Sequence, residues 1–371
     1  MLIKIDSSVI KDIKDSHSWP DDLILTLENL ATARREGKHS IIADLNTLKI
    51  ITKCSDLSKN AKNVYNRILN DRSKFKAYLY HVSKYIEIIN PCEVNKINSH
   101  SGKDIIQLPY TFFNDSETIQ KSILLCENLQ DTNFYKIIGK TFCKWNNINI
   151  KLNFESRLGG GNTIATVYDN IQNKKKRFCI CIVDSDKLSP ESSLGSTAKK
   201  VKQKDDNASL ITQLYILPVR ELENLIPLLI LSELISNNKD RENAFKQLEE
   251  IENSSVIEIR QFLDIKEGTQ LKKIVKETIS VKNFWNDKLD KYINNIDEWC
   301  YKNWSCTNEQ SCNCKISLGF GENILENTIT YLNTQSPSKI TSMVEDSLRS
   351  EWENIGQFML NWGFADPPMR I

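Results

Sequence analysis

Apolar and polar positions over residues 1 to about 90 alternate between short β-like runs and longer helical stretches. Leu2-Ile-Lys-Ile5, Ser40-Ile-Ile-Ala43 and Tyr85-Ile-Glu-Ile-Ile89 are the short runs, and residues 22–35 and 60–80 carry apolar side chains at helical spacing. This pattern predicts an N-terminal α/β unit. Residues 91–118 contain Pro91, Pro109 and a polar stretch over 95–103, which reads as a connecting segment, so a new unit is expected from about residue 119.

From there the order is strand, loop, helix. Lys121-Ser-Ile-Leu-Leu-Cys126 is apolar up to Glu127, and Asp131 stands at the start of a helical pattern that reaches Gly139. Ile148, Ile150, Leu152 and Phe154 then alternate with polar residues, Gly159-Gly-Gly161 breaks the chain, and 163–171 turns helical again. Arg177-Phe-Cys-Ile-Cys-Ile-Val183 is apolar on both faces, as in a buried parallel strand, and runs into Asp184-Ser-Asp186. A further run, Gln213-Leu-Tyr-Ile-Leu217, leads into Arg220-Glu-Leu-Glu-Asn224. Strands alternating with helices predict an α/β fold with a central open parallel sheet and helices on both faces. Beyond about 236 the pattern is helical. The expected division is therefore an N-terminal α/β domain (1–118), a central domain (119–235) and a mainly helical C-terminal domain (236–371).

Charge adds little at the level of the whole chain. With 49 basic and 48 acidic side chains, a nucleic-acid partner would need positive charge concentrated locally. The longest apolar stretch, 225–235, is interrupted by Pro227 and Glu233 and falls short of the ~20 residues of a membrane span. The first residues lack the features of an export signal, so the expectation is a cytoplasmic protein with no membrane partner and reduced cysteines.

In an open parallel sheet, functional groups gather beyond the carboxyl ends of the strands. Three such ends carry acids here: Glu127, the Asp184/Asp186 pair, and Glu221 with Glu223. Residues two apart in extended chain point the same way, so both aspartates are expected to face one point. Two carboxylates ~4 Å apart repel by about 4 kcal/mol at an effective dielectric near 20. A shared proton or a hard divalent cation offsets that repulsion, and oxygen ligands without nearby histidine suit Mg²⁺ or Mn²⁺. Phosphoryl transfer or phosphodiester hydrolysis follows as the natural chemistry.

Cys126-Glu-Asn-Leu-Gln-Asp131, the glycine turn 159–161, Val183-Asp-Ser-Asp186 and Val219-Arg-Glu-Leu-Glu-Asn224 together resemble the successive motifs of a Toprim domain. The last segment is similar to that of Toprim-like nucleases of prokaryotic phage defence, including overcoming-lysogenization-defect and stand-alone Toprim effector nucleases. The resemblance covers about residues 119–230. It implies a metal-dependent nuclease acting on DNA or RNA, in which Glu127, Asp184 and Asp186 are metal ligands and catalytic residues and Glu223, preferred over Glu221, joins the catalytic set. Cys126 and Asn128 depart from the apolar residue and glycine that many members carry. A second reading is a catalytically silent Toprim scaffold serving as a binding or regulatory subunit of a defence complex.

The rest of the chain adds partners. Lys199, Lys200 and Lys202 lie in the segment 188–209 that departs from the aspartate pair, where they are expected to contact a nucleic-acid backbone. Lys174-Lys-Lys-Arg177 precedes its strand and reads as a solvated turn. Cys300, Cys306, Cys312 and Cys314 can bind a structural Zn²⁺, but their spacing departs from paired Cys-x-x-Cys, so ordinary thiols are the preferred reading. Asp6, Glu28 and Asp44 resemble the acids of PIN-type ribonucleases only weakly. The N-terminal domain reads better as a recruitment or oligomerisation domain, with a protein partner or a second copy bound through the flanking domains.

Overall fold

A computed structural model of the chain describes all residues except 12, 14–18, 93–95, 101, 236–237, 255, 290–295, 307–311 and 371. In chain order the elements are β1 (Leu2–Ile5), α1 (Asp21–Arg35), β2 (Ser40–Ala43), α2 (Leu45–Ile51), α3 (Lys59–Asn70), α4 (Lys74–His81), β3 (Lys84–Ile89), β4 (Lys96–His100) and β5 (Lys103–Pro109). They are followed by β6 (Ser122–Cys126), α5 (Leu129–Trp145), β7 (Lys151–Leu152), β8 (Phe154–Leu158), α6 (Ile164–Lys174), β9 (Cys179–Val183), α7 (Ser196–Lys204) and β10 (Thr212–Ile216). The remainder is α8 (Leu228–Glu233), α9 (Lys239–Glu252), α10 (Leu271–Ile274), α11 (Ile279–Leu289), α12 (Glu298–Asn303), α13 (Ile324–Thr334), α14 (Pro337–Thr341), α15 (Asp346–Gly363) and β11 (Phe364–Ala365). No described helix is long and apolar enough to cross a membrane.

Two compact units divide the chain. The first comprises Met1–Cys181, Lys204–Leu214 and Trp352–Ile371, and the second Ile182–Gln203 and Tyr215–Glu351. In the first unit a five-stranded mixed sheet has the order β2-β1-β3-β5-β4, parallel except for the antiparallel β4–β5 pair. The segment 91–118 that reads as a connection therefore supplies two strands. Every residue of β4 is exposed, so no burial pattern marks it in the sequence. The long helical stretch 60–80 is two helices, separated at residues 71–73. Leu2, Ile42, Tyr85, Phe142, Leu360 and Phe364 share one apolar cluster, each such side chain contributing about 1.5–3 kcal/mol.

A second sheet is all-parallel, in the order β10-β9-β6-β8. β6 and β9 are buried at every position, which is why they read as continuous apolar runs, and β8 at the edge is only partly buried. The alternating stretch 148–154 is divided. β7 pairs antiparallel with β11, and Phe154 opens β8.

The second unit is mainly helical. Arg260 organises it: its guanidinium pairs with Glu252 at 2.6 Å and Glu345 at 2.8 Å and donates to the Ile226 carbonyl at 2.7 Å. Trp285 on α11 is fully buried and donates its indole N–H to the Leu188 carbonyl at 2.7 Å, which fixes the chain that leaves β9.

Candidate functional site

In the first unit, Glu127 follows the last residue of β6 and is half-buried. The glycine turn is hooked onto this strand end: Gly159 N–H donates to the Cys126 carbonyl at 2.8 Å, and Gly160 N–H to that of Glu127 at 3.2 Å. Gly160 and Gly161 have φ of 66° and 54°, a left-handed conformation that glycine adopts without steric cost. A Cβ at Gly161 would stand 3.8 Å from Glu127 Oε2, so this carboxylate faces the turn. Asn128, where many Toprim sequences carry glycine, has an ordinary φ of −127° and needs no glycine. Asp131 closes a capping box at the start of α5 by accepting from Asn128 N–H at 2.9 Å.

The second unit holds the other sequence-predicted acids. β9 ends at Val183, and Asp184 is half-buried with Oδ1 accepting from Leu222 N–H at 3.1 Å. Ser185 is buried and donates to the Val219 carbonyl at 2.6 Å. Asp186 is exposed and has φ 52°, so the pair does not follow the extended register expected from two-residue spacing. Its position is set instead by its own N–H, which donates to the Arg220 carbonyl at 2.8 Å, and by Gly195, where a Cβ would lie 2.2 Å from Asp186 Oδ2.

Glu221 and Glu223 play different parts. Glu221 Oε1 accepts from the backbone N–H of Ile265 at 2.7 Å and of Lys266 at 3.4 Å. Burial, reinforced by Glu223 and Asp264, pushes its carboxyl up to about 8, against the opposing charges of Arg220 and Lys266. The side chain of Glu223 has no exposed surface, and Lys266 Nζ lies 2.8 Å from its Oε1. Burial by itself would lower the Lys266 ammonium, but Glu223, Glu221 and Asp184 together raise it. Lys266 thus sits in the combined field of three acids. The sequence reading misses it because it lies more than forty residues beyond the last motif, as an isolated lysine in Leu263-Asp-Ile-Lys-Glu-Gly268.

Lys199, Lys200 and Lys202 are exposed on α7, which turns Ala198 and Val201 inward. The segment 188–209 is thus helical where these lysines lie. Lys199 Nζ donates to Ser193 Oγ at 3.0 Å. Lys176 pairs with Asp115 at 2.7 Å, and Arg177 with Glu155 at 2.6 Å, as suits a turn. The three N-terminal acids each serve local structure: Asp6 accepts from Ser8 N–H, Asp44 caps α2, and Glu28 accepts from Ser58 N–H.

The donor chemistry near Asp184 is all oxygen and fits a hard divalent cation rather than a soft one. Within the second unit these carboxylates do not draw together as a trio inside 4.8 Å, a distance that Cys300, Cys312 and Cys314 do meet. Comparisons with protein-family models, with curated proteins and with solved structures found no match.

Proposed function

We propose that the chain is a Mg²⁺- or Mn²⁺-dependent nuclease of Toprim type that hydrolyses phosphodiester bonds in DNA or RNA, serving as a phage-defence effector. The observation that carries this reading is the gathering of Asp184, Glu221 and Glu223 about Lys266 just beyond a buried parallel strand. Gathered acids are costly unless protons or cations offset them; Glu221 is offset by a proton, and Asp184 and Glu223 share the single charge of Lys266. In the second unit, Asp184 and Asp186 are the residues assigned to hold the metal, whose charge would activate water and stabilise the leaving oxygen.

The protein's own groups do the remaining work. Lys266 pairs with Glu223, and the amides of Ile265 and Lys266 hold Glu221. Gly195 leaves room for the Asp186 carboxylate. Exposed Lys199, Lys200 and Lys202 contact substrate phosphates, so binding weakens as salt rises, because the entropy gained by releasing counterions from those phosphates falls.

One observation favours the silent-scaffold reading: Glu221 and Glu223 both already have protein partners. A screen of plasmid, single-stranded DNA and transfer RNA with each metal separates the two. The nuclease reading expects cleavage that is absent in Asp184→Ala. Inactivity of the wild-type chain on all three, with no divalent binding, supports the silent scaffold.

A further inference from the structure

A second group of reactive side chains lies in the second unit and has no part in the chemistry above. The sulfur atoms of Cys300, Cys312 and Cys314 all lie within 4.8 Å of one another. Cys306 stands outside that group of three, in the electrostatic field of Cys312, Cys300 and Cys314. A tetrahedral ion with metal–sulfur bonds of about 2.3 Å holds its sulfurs about 3.8 Å apart. The three thiols are therefore gathered at nearly the spacing that one ion imposes.

We propose that Cys300, Cys306, Cys312 and Cys314 bind one Zn²⁺ as four thiolates, forming a structural site that fastens the segment carrying Lys266. The irregular sequence spacing has a structural reason. Cys300 comes from α12, whereas Cys312 and Cys314 come from the chain that follows, so convergence depends on tertiary placement and not on a Cys-x-x-Cys turn. Asp297 fixes α12 by accepting from the N–H groups of Trp299 at 3.0 Å and Cys300 at 3.3 Å, and its own N–H donates to Cys314 Sγ at 3.3 Å. N–H groups aimed at sulfur are the outer partners that orient metal-bound thiolates.

Four thiolates together need a divalent charge, and an all-sulfur donor set selects Zn²⁺ over Mg²⁺. On binding, each thiol releases its proton to solvent.

The chain after Cys314 reaches the candidate active site. Leu271 N–H donates to the Cys314 carbonyl at 3.0 Å, Ile316 N–H to that of Thr269 at 2.7 Å, Phe320 N–H to that of Ile265 at 2.8 Å, and Gly321 N–H to that of Lys266 at 2.9 Å. Pinning Cys314 thus steadies the backbone on both sides of Lys266.

The test is the metal content of the full-length protein, purified without chelator and measured by inductively coupled plasma mass spectrometry. One zinc per chain is expected, unchanged in Cys92→Ser, whose thiol is exposed, and lost in the double variant Cys312→Ser/Cys314→Ser. Replacement by Co²⁺ should give thiolate charge-transfer absorption and the visible bands of a tetrahedral ion. If the double variant does not fold, the wild-type protein decides the matter, through stripping and refolding with Zn²⁺. Absence of zinc both as isolated and after incubating the reduced protein with Zn²⁺ would overturn the site. Neither readout depends on nuclease activity.

Discussion

Replacing Lys266 by methionine keeps much of the side chain's volume and removes its charge from a fully buried partner. Glu223 Oε1 lies 2.8 Å from the ammonium, and Asp184 adds to the same negative field. Breaking a buried ion pair by removing one member costs about 3–5 kcal/mol. Two effects reduce this. The Lys266 side chain is 37% exposed, so water screens part of the attraction, and a stranded glutamate can bind a proton. From an ordinary glutamate pKa of about 4.3, that protonation costs about 3.7 kcal/mol at pH 7. The expected loss is about 2–3 kcal/mol, or about 4–12 °C in melting temperature for a unit of this size. Protonation becomes easier by about 1.4 kcal/mol per pH unit, so the deficit shrinks toward pH 5. A divalent ion at about a hundred times its Kd would return about 2.7 kcal/mol. Urea denaturation followed by tryptophan fluorescence at several pH values, with and without Mn²⁺, measures all three. A deficit below about 0.5 kcal/mol at neutral pH, or one that does not change with pH, would refute the reasoning.

Four further outcomes follow from the same geometry. Glu221 is held protonated by burial, with its carboxyl pushed up to about 8; its contribution to stability is full below the unfolded value of about 4.3 and is lost as pH rises toward 8. Glu221→Gln should flatten that decline in thermal melts, and an unchanged pH slope counts against it. Gly195→Ala crowds the Asp186 carboxylate and should reduce cleavage by about tenfold or more while melting changes little; wild-type cleavage would show that Asp186 needs no such placement. In the first unit, Asp366→Asn leaves the buried Arg34 guanidinium, 3.2 Å away, without its counter-charge. A loss of about 2–4 kcal/mol in denaturant titration is expected, and one under about 0.5 kcal/mol would contradict the pairing. Lys199→Glu/Lys200→Glu should lower both affinity for nucleic acid and its salt dependence, the log–log slope falling by about 0.9 for each duplex-DNA phosphate that is no longer neutralised; an identical slope removes α7 from the interface.

How much was readable in the chain depended on where each element buries its surface. β6 and β9 are enclosed at every position, so their apolar runs stand out, and the acids that follow mark the strand ends. β4 is fully exposed and exists through pairing with β5, which no local pattern reports. The split of 148–154 between β7 and β8 depends on β11, more than two hundred residues away. In the candidate site, Asp184 and Glu223 are legible from motif order, whereas Lys266 enters by tertiary folding alone. The cysteines too are brought together by tertiary folding. Their spacing resembles no metal knuckle, yet α12 and the following chain bring three sulfurs together. The extended-chain argument for Asp184 and Asp186 fails because the backbone turns left-handed at Asp186.

The central claim, metal-dependent phosphodiester hydrolysis that requires the acids beyond β9, is tested most directly by one comparison. Wild-type and Asp184→Asn proteins, matched for folding by circular dichroism, are titrated with Mn²⁺ against labelled DNA and RNA. The account predicts Mn²⁺-dependent cleavage by the wild-type protein, abolished by EDTA and by the substitution. Equal cleavage by both proteins, or cleavage indifferent to the metal, would contradict it.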